Sequence, residues 1–265
     1  MNLPLTIPGE LFTTFNDIMF YDEPHKYFLD GKELISVTTL IHQYQEEFNE
    51  DYWSNYKAGQ YSVSQEDILR GWKFINRKGT IKGSAIHDYA EKLFQNKKYE
   101  YPKEIIFKEF GFDPVWGEYQ ITKKHVDKFY NDVHSKLIPV RTEFVIYDKE
   151  SMIAGMLDML FYNIKTKEFQ IWDWKTNKDF TFEMSSRHLI KDLFTLEDCD
   201  LELYSLQLEM YKRIIEKNTG LKLGKSYIVW FSHNNENYKV IEAKDREYFV
   251  NKIIENRILE LNAAA

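Results

Sequence analysis

The 265-residue sequence holds one cysteine, Cys199. No intramolecular disulfide can form, and a zinc or iron–sulfur site built on cysteines is excluded. Glycine and proline are sparse, at 11 and 6 residues, and nowhere gather into a linker. With no internal repeat or low-complexity run either, a single domain over 1–265 is the expectation. No apolar run approaches the roughly 20 residues of a membrane span. The opening Met-Asn-Leu-Pro-Leu-Thr-Ile-Pro lacks the basic start of a secretory signal and the arginine richness of a transit peptide. A cytoplasmic location without a membrane partner is therefore expected. Positive charge is not in excess: a formal net charge of −7 argues against a nonspecific coat of nucleic acid. It leaves open an enzyme acting on nucleic acid, since carboxylates at a metal site add negative charge while lysines gather in a groove.

What is present is ample apolar material, 43% of residues, with aromatics at 16%. The first forty residues read as a meander with a turn at Asp30-Gly31, a hairpin signal between apolar runs. Residues 38–75 read as helical and loop-rich. Helices are expected at about 82–96, 115–136, 201–218 and 245–261. Between them, 142–148, 151–162, 168–176 and 227–232 read as strands rich in Val, Ile, Phe and Trp. The order implies an α/β fold, a central mixed sheet flanked by helices, with a helical N-terminal elaboration over 1–80 and a core over 81–262.

The chemistry concentrates on two strands. In Ile171-Trp172-Asp173-Trp174-Lys175, alternation puts Asp173 and Lys175 on one face and the two indoles on the other. A carboxylate and an ammonium flanked by apolar residues are costly to bury without purpose. The preceding strand carries one acid, Asp158, in an apolar run. If the strands are adjacent and antiparallel, Asp158 and Asp173 face each other, and a hard divalent cation between them relieves their repulsion. Taken alone, Asp-x-Lys more often marks a surface ion pair. On the 82–96 helix, Gly83, His87 and Glu91 share a side; His87 is either a core histidine or a nitrogen ligand. Glu91 sits at the edge of that stripe, placed for an indirect contact. On the 201–218 helix, Gln207 lies within the apolar stripe and Tyr211 at its margin. Gln207 must find hydrogen-bond partners, in the core or in a groove.

Together these residues resemble the RecB-like branch of the PD-(D/E)XK nucleases, including phage-type exonucleases. The four segments are Gly83-Ser-Ala-Ile-His87, Gly155-Met-Leu-Asp158, Asp173-Trp-Lys175 and Gln207-Leu-Glu-Met-Tyr211, in order over about 80–215. Ser36-Val37-Thr38-Thr39 also looks like the start of phage-type members. The resemblance implies a restriction-endonuclease-like core and a Mg²⁺-dependent deoxyribonuclease, an exonuclease of recombination, repair or phage DNA processing. It implies His87, Asp158, Asp173 and the Trp174 carbonyl as metal ligands, with Asp158, Asp173 and Lys175 catalytic. Gly83, Gln207 and Tyr211 would contact substrate, and Glu143 stands where some relatives carry an acid. Mn²⁺ is expected to substitute for Mg²⁺, with no iron–sulfur cluster and no nucleotide. DNA is the implied partner, with a single-strand-annealing or recombination protein as companion, in a bacterium or phage-infected host cell. Leu157 replaces the proline of the namesake signature.

Two alternatives stand beside this. One is a nuclease fold that binds DNA or protein without cutting. The other is an ATP-driven motor, suggested by Gly220-Leu-Lys-Leu-Gly224-Lys225-Ser226. That segment is one residue short of a P-loop and follows a helix rather than a strand, so it reads as a helix stop and a turn.

Overall fold

The computed structural model describes residues 9–21 and 23–264; the opening octapeptide considered above lies outside them. In chain order the elements are α1 (Glu10–Thr13), β1 (Met19–Tyr21), β2 (Lys26–Leu29), β3 (Lys32–Ser36), α2 (Val37–His42), α3 (Glu50–Tyr61), α4 (Gln65–Phe94), α5 (Lys103–Phe110) and α6 (Trp116–Val133). There follow β4 (Leu137–Asp148), β5 (Ile153–Asn163), β6 (Glu168–Lys175), α7 (Asp200–Thr219), β7 (Tyr227–Trp230), β8 (Lys239–Glu242) and α8 (Glu247–Ala264). The fold is mixed α/β: one mixed sheet of the described strands, with helices packed on it. Among the described residues no helix is long and apolar enough to cross a membrane.

Local chemistry explains most boundaries. Asp30 and Gly31 both take positive φ, +50° and +76°, as a type I′ hairpin turn requires. Ser64 opens α4 with a capping box to Asp67, so this helix begins 17 residues before the expected start. Interior Gly71, Gly79 and Gly83 obscure its length, because each weakens the helical signal. Gly220 closes α7 at φ +69°, so the P-loop-like segment starts as a helix stop and continues as irregular chain that bridges to Phe169 at Leu223. Helix α5 and strand β8 were not expected; eight and four residues are too short for a clear period.

Strand β5 organises the sheet. It pairs antiparallel with β4 along its length and antiparallel with β6 from Met159↔Trp172 to Asn163↔Glu168. It also pairs parallel with β3 at Ile35↔Ile153 and Ser36↔Ala154. Both β3 and β6 therefore lie on the same edge of β5, one at each end. Residues 155–158 between them face neither strand, which leaves a notch in the sheet.

Two apolar cores pin that notch. One gathers Leu157, Leu160 and Ile171 with Leu206, Met210 and Tyr211 of α7. The other holds Trp172 and Trp174 with Ile86, Ala90 and Phe94 of α4 and Phe129 of α6. The Trp174 ring stacks on Phe94 at a centroid distance of 6.2 Å. Truncating such a buried indole costs about 3–5 kcal/mol. The indoles thus set where Asp173 and Lys175 stand.

Candidate metal centre and active site

The notch opens into a cavity of about 470 Å³. Its lining includes His87 from α4, Glu143 from β4, Gly155 and Asp158 from β5, Asp173 and Lys175 from β6, and Gln207 and Tyr211 from α7. Gly83 lines it as well. The four sequence segments, far apart in the chain, thus meet at one cavity.

Asp158 sits at the centre. The β5–β6 register, continued one step beyond Met159↔Trp172, sets Asp158 opposite Asp173, yet the ladder stops there. The Asp158 carboxylate takes over its hydrogen bonding: Oδ2 accepts from the Trp174 backbone N–H at 2.5 Å. Oδ1 lies 3.2 Å from Nδ1 of His87. A strand residue presents its N–H and C=O to the same edge, so the Trp174 carbonyl also faces the notch. The neighbouring Lys175 carbonyl turns the other way and accepts from Phe231 N–H at 2.7 Å.

Across β5 stands Glu143, and here the backbone is strained. Glu143 has φ +44° in mid-strand, a left-handed conformation that costs a non-glycine residue roughly 1–3 kcal/mol and gathers at functional sites. Neither Glu143 nor Asp158 has a partner in the β4–β5 ladder. The carboxylate is aimed inward, with Oε1 buried and without a hydrogen-bond partner. Ligating atoms of His87, Glu143 and Asp158 all lie within 4.8 Å of one another. Ligands on one Mg²⁺ at about 2.0–2.1 Å stand at most about 4.2 Å apart, so small side-chain rotations close the set. An orphaned acid oxygen, a second carboxylate and an imidazole fit a divalent cation.

Electrostatics agree with that fit. Burial and the nearby Asp158 charge push the Glu143 carboxyl up to about 8. Burial alone would lower the His87 imidazole, but Asp158 and Glu143 reverse this and push it up to about 9. Asp173 is raised to about 6 by burial and by Asp158, against the pull of Lys175. Glu143 and Asp173 hold a proton more tightly than usual first through burial and then through nearby negative charge, His87 through negative charge alone, and a cation would take the protons' place.

Asp173 is drawn toward Lys175, with Oδ2 and Nζ 2.6 Å apart, and stands outside the His87–Glu143–Asp158 triad. Burial would discharge Lys175, but Asp173 and Tyr204 hold its pKa above the usual lysine range. The ammonium lies 4.5 Å from the centre of the Tyr204 ring and donates to Gln207 Oε1 at 3.4 Å. Gln207 Nε2 in turn donates to the Tyr211 hydroxyl at 2.9 Å, so its two partners are found in the site.

Gly83 has a β-carbon position 3.4 Å from Thr176 Oγ1, just past the end of β6. Glu91 does not line the cavity; its carboxylate accepts from Gln95 and Thr142, next to Glu143. His25, Tyr27, Ser36 and Thr38 line the cavity too; sequence reasoning assigned none of them a site role, although Ser36 and Thr38 belong to the segment that looks like the start of phage-type members. The signal available was the placement of Ser36 at the end of β3, the strand that shares the β5 edge with β6.

No protein-family model and no curated protein matches the chain. Among solved structures it is similar to a candidate exonuclease from Eubacterium rectale, at 13% identity and a TM-score of 0.44, over 70% of this chain and 65% of that one. It is also similar to the protein SSO0001, at 13% identity and a TM-score of 0.26, over 68% of this chain and 86% of that one. The chain spans less than two thirds of the length of the first. Likeness this distant carries no argument about activity, which rests on the geometry of the cavity.

Proposed function

We propose that this chain is a divalent-metal-dependent nuclease with a PD-(D/E)XK core of the RecB-like kind, hydrolysing DNA phosphodiester bonds. The observation that carries the reading is the convergence of His87, Glu143 and Asp158 within 4.8 Å, in one cavity with Asp173 and Lys175. His87, Glu143 and Asp158 would hold the ion, with Asp173 and the Trp174 carbonyl bordering the same notch. Oxygen-rich ligands favour Mg²⁺, with Mn²⁺ as the substitute. Once bound, the ion supplies an acidified water and a counter-charge for the phosphate.

The remaining work belongs to the side chains. Lys175 enters as an ammonium, which suits it to orient the attacking water and offset charge building on the phosphate. Gln207 and Tyr204 keep that ammonium in place. As the water oxygen bonds to phosphorus, the bond from phosphorus to the 3′ oxygen breaks. The departing oxygen takes, through solvent, the proton that the attacking water gives up, leaving a 5′-phosphate and a 3′-hydroxyl. Tyr211 and Gly83 border the space for the strand. Processing from an end, in recombination, repair or phage DNA metabolism in the cytoplasm, beside an annealing or recombination protein, completes the proposal.

Incubation of end-labelled linear duplex and closed circular DNA with Mg²⁺, beside an EDTA control, tests it. The expected result is metal-dependent degradation of the linear form, lost in Asp158→Ala and Lys175→Ala. Binding of DNA without cleavage under any divalent ion would instead make the chain an inactive nuclease fold.

A further inference from the structure

A second cavity, of about 810 Å³, adjoins the catalytic one. Its lining includes Phe74, Lys78, Lys82, Lys178 and His233, with Glu118 as the acid among them. Its charge is opposite in character to that of the catalytic cavity: three ammonium groups face one carboxylate, in a chain of net charge −7. The acid is shared, since Lys78 and Lys82 both pair with Glu118, at 2.5 Å and 3.2 Å. Lys82 is 4% exposed and also lies 3.3 Å from Nδ1 of His233. Burying an ammonium costs several kcal/mol unless it is compensated, and Glu118, which Lys82 shares with Lys78, supplies that compensation. Lys178 is exposed at the rim.

The two cavities are lined by residues adjacent in the chain. Lys82 lines one and Gly83 the other; Thr176 lines one and Lys175 the other. The wall between them is the approach of Gly83 to Thr176. Helix α4 runs along both, carrying Lys78 and Lys82 to the groove and His87 to the catalytic centre. From Lys78 to His87 is nine residues, about 14 Å along the axis at 1.5 Å per residue. Gly79 presents bare backbone on the way, and a β-carbon there would meet nothing within 4 Å. Packing does not require that glycine. At the far end Phe74, 39% exposed, stacks on Phe112 at 6.4 Å, so an aromatic face borders the cationic groove. Cations tracking a backbone beside rings that accept bases are the two components of a single-strand path.

We infer that this groove binds the nucleic-acid strand adjoining the scissile phosphate, with Lys78, Lys82 and Lys178 on its phosphates and Phe74 against a base. The inference rests on the nuclease reading for which phosphate is cut, but strand binding itself needs no catalysis. Fluorescence anisotropy of a labelled single-stranded oligonucleotide, titrated with wild-type protein in EDTA across a salt series, separates the two. The Lys78→Gln/Lys178→Gln variant is expected to bind at least about tenfold more weakly. Its slope of log affinity against log salt should be shallower by about 1.4, at about 0.7 per phosphate contact. Lys98→Gln/Lys252→Gln, which removes one exposed and one half-buried lysine elsewhere, should bind as wild type. Lys178→Gln alone, at an exposed position, should lose about half that slope and guards against misfolding of the double variant. Equal losses in groove and control variants, or no binding by the wild-type protein, would overturn the inference. Groove-dependent binding by a protein that cuts nothing would uphold the groove and refute the nuclease.

Discussion

The Tyr211 ring stands where a β-carbon on residue 155 would be: a side chain at Gly155 would come 2.4 Å from Tyr211 Cε1. The glycine of one segment and the tyrosine of another are thus two halves of one contact between β5 and α7. Through Gln207, the same tyrosine reaches Lys175. Gly155→Ala is expected to cost about 1–3 kcal/mol by overpacking. Urea unfolding of Gly155→Ala, Tyr211→Ala and the double variant should give a coupling of at least about 0.5 kcal/mol, with Tyr211→Ala relieving the clash. Simple additivity would show that the ring is not held there.

Glu143 stores strain at φ +44° and buries an acid oxygen without a partner. Glycine takes that φ freely, at an entropic cost of about 0.5–1 kcal/mol against strain of about 1–3 kcal/mol. Glu143→Gly should therefore unfold at a higher temperature than wild type in EDTA, while losing most of its affinity for Mn²⁺. Calorimetry of unfolding and of metal binding checks both halves. A variant both less stable and equally able to bind metal would contradict the role given to Glu143.

The cavity should also make metal binding depend on pH. The His87 pKa, raised to about 9 against the pull of burial by Asp158 and Glu143, lies above its unfolded value of about 6.5. Its contribution to metal-free stability is fully present below about 6.5 and is lost as pH rises through 9. Glu143, raised to about 8 by burial and Asp158, contributes in the same direction, from about 4.5 upward. The cation competes with these protons. The rise in unfolding temperature produced by saturating Mg²⁺ over EDTA should therefore grow between pH 6 and pH 9. A constant increment would contradict proton displacement at the site.

How far the sequence disclosed this arrangement varies residue by residue. Asp158, Asp173 and Lys175 were readable because period-2 alternation and an isolated acid in an apolar strand are local signals. The antiparallel pairing of their strands was only a condition in the sequence, met by the ladder from Met159↔Trp172 to Asn163↔Glu168. His87, Gln207 and Tyr211 were readable as oddities on helical stripes, but whether they served core or groove depended on where α4 and α7 lay on the sheet. Glu143 was named only through the resemblance, and no residue type at 143 announces its left-handed φ opposite Asp158. The full length of α4 was hidden by its glycines, and with it the line from Lys78 to His87. The notch was hidden as well, since it exists only because β3, from residues 32–36, shares an edge of β5 with β6.

The central claim is that His87, Glu143 and Asp158 hold one divalent ion. Crystals grown with Mn²⁺, measured for anomalous scattering at the manganese edge, test it most directly. The account predicts a single strong peak, or the stronger of two, about 2.0–2.2 Å from a His87 ring nitrogen and from a carboxylate oxygen of each acid. A protein that cleaves DNA with its manganese bound elsewhere, or a cavity that stays without a peak at saturating Mn²⁺, would contradict it.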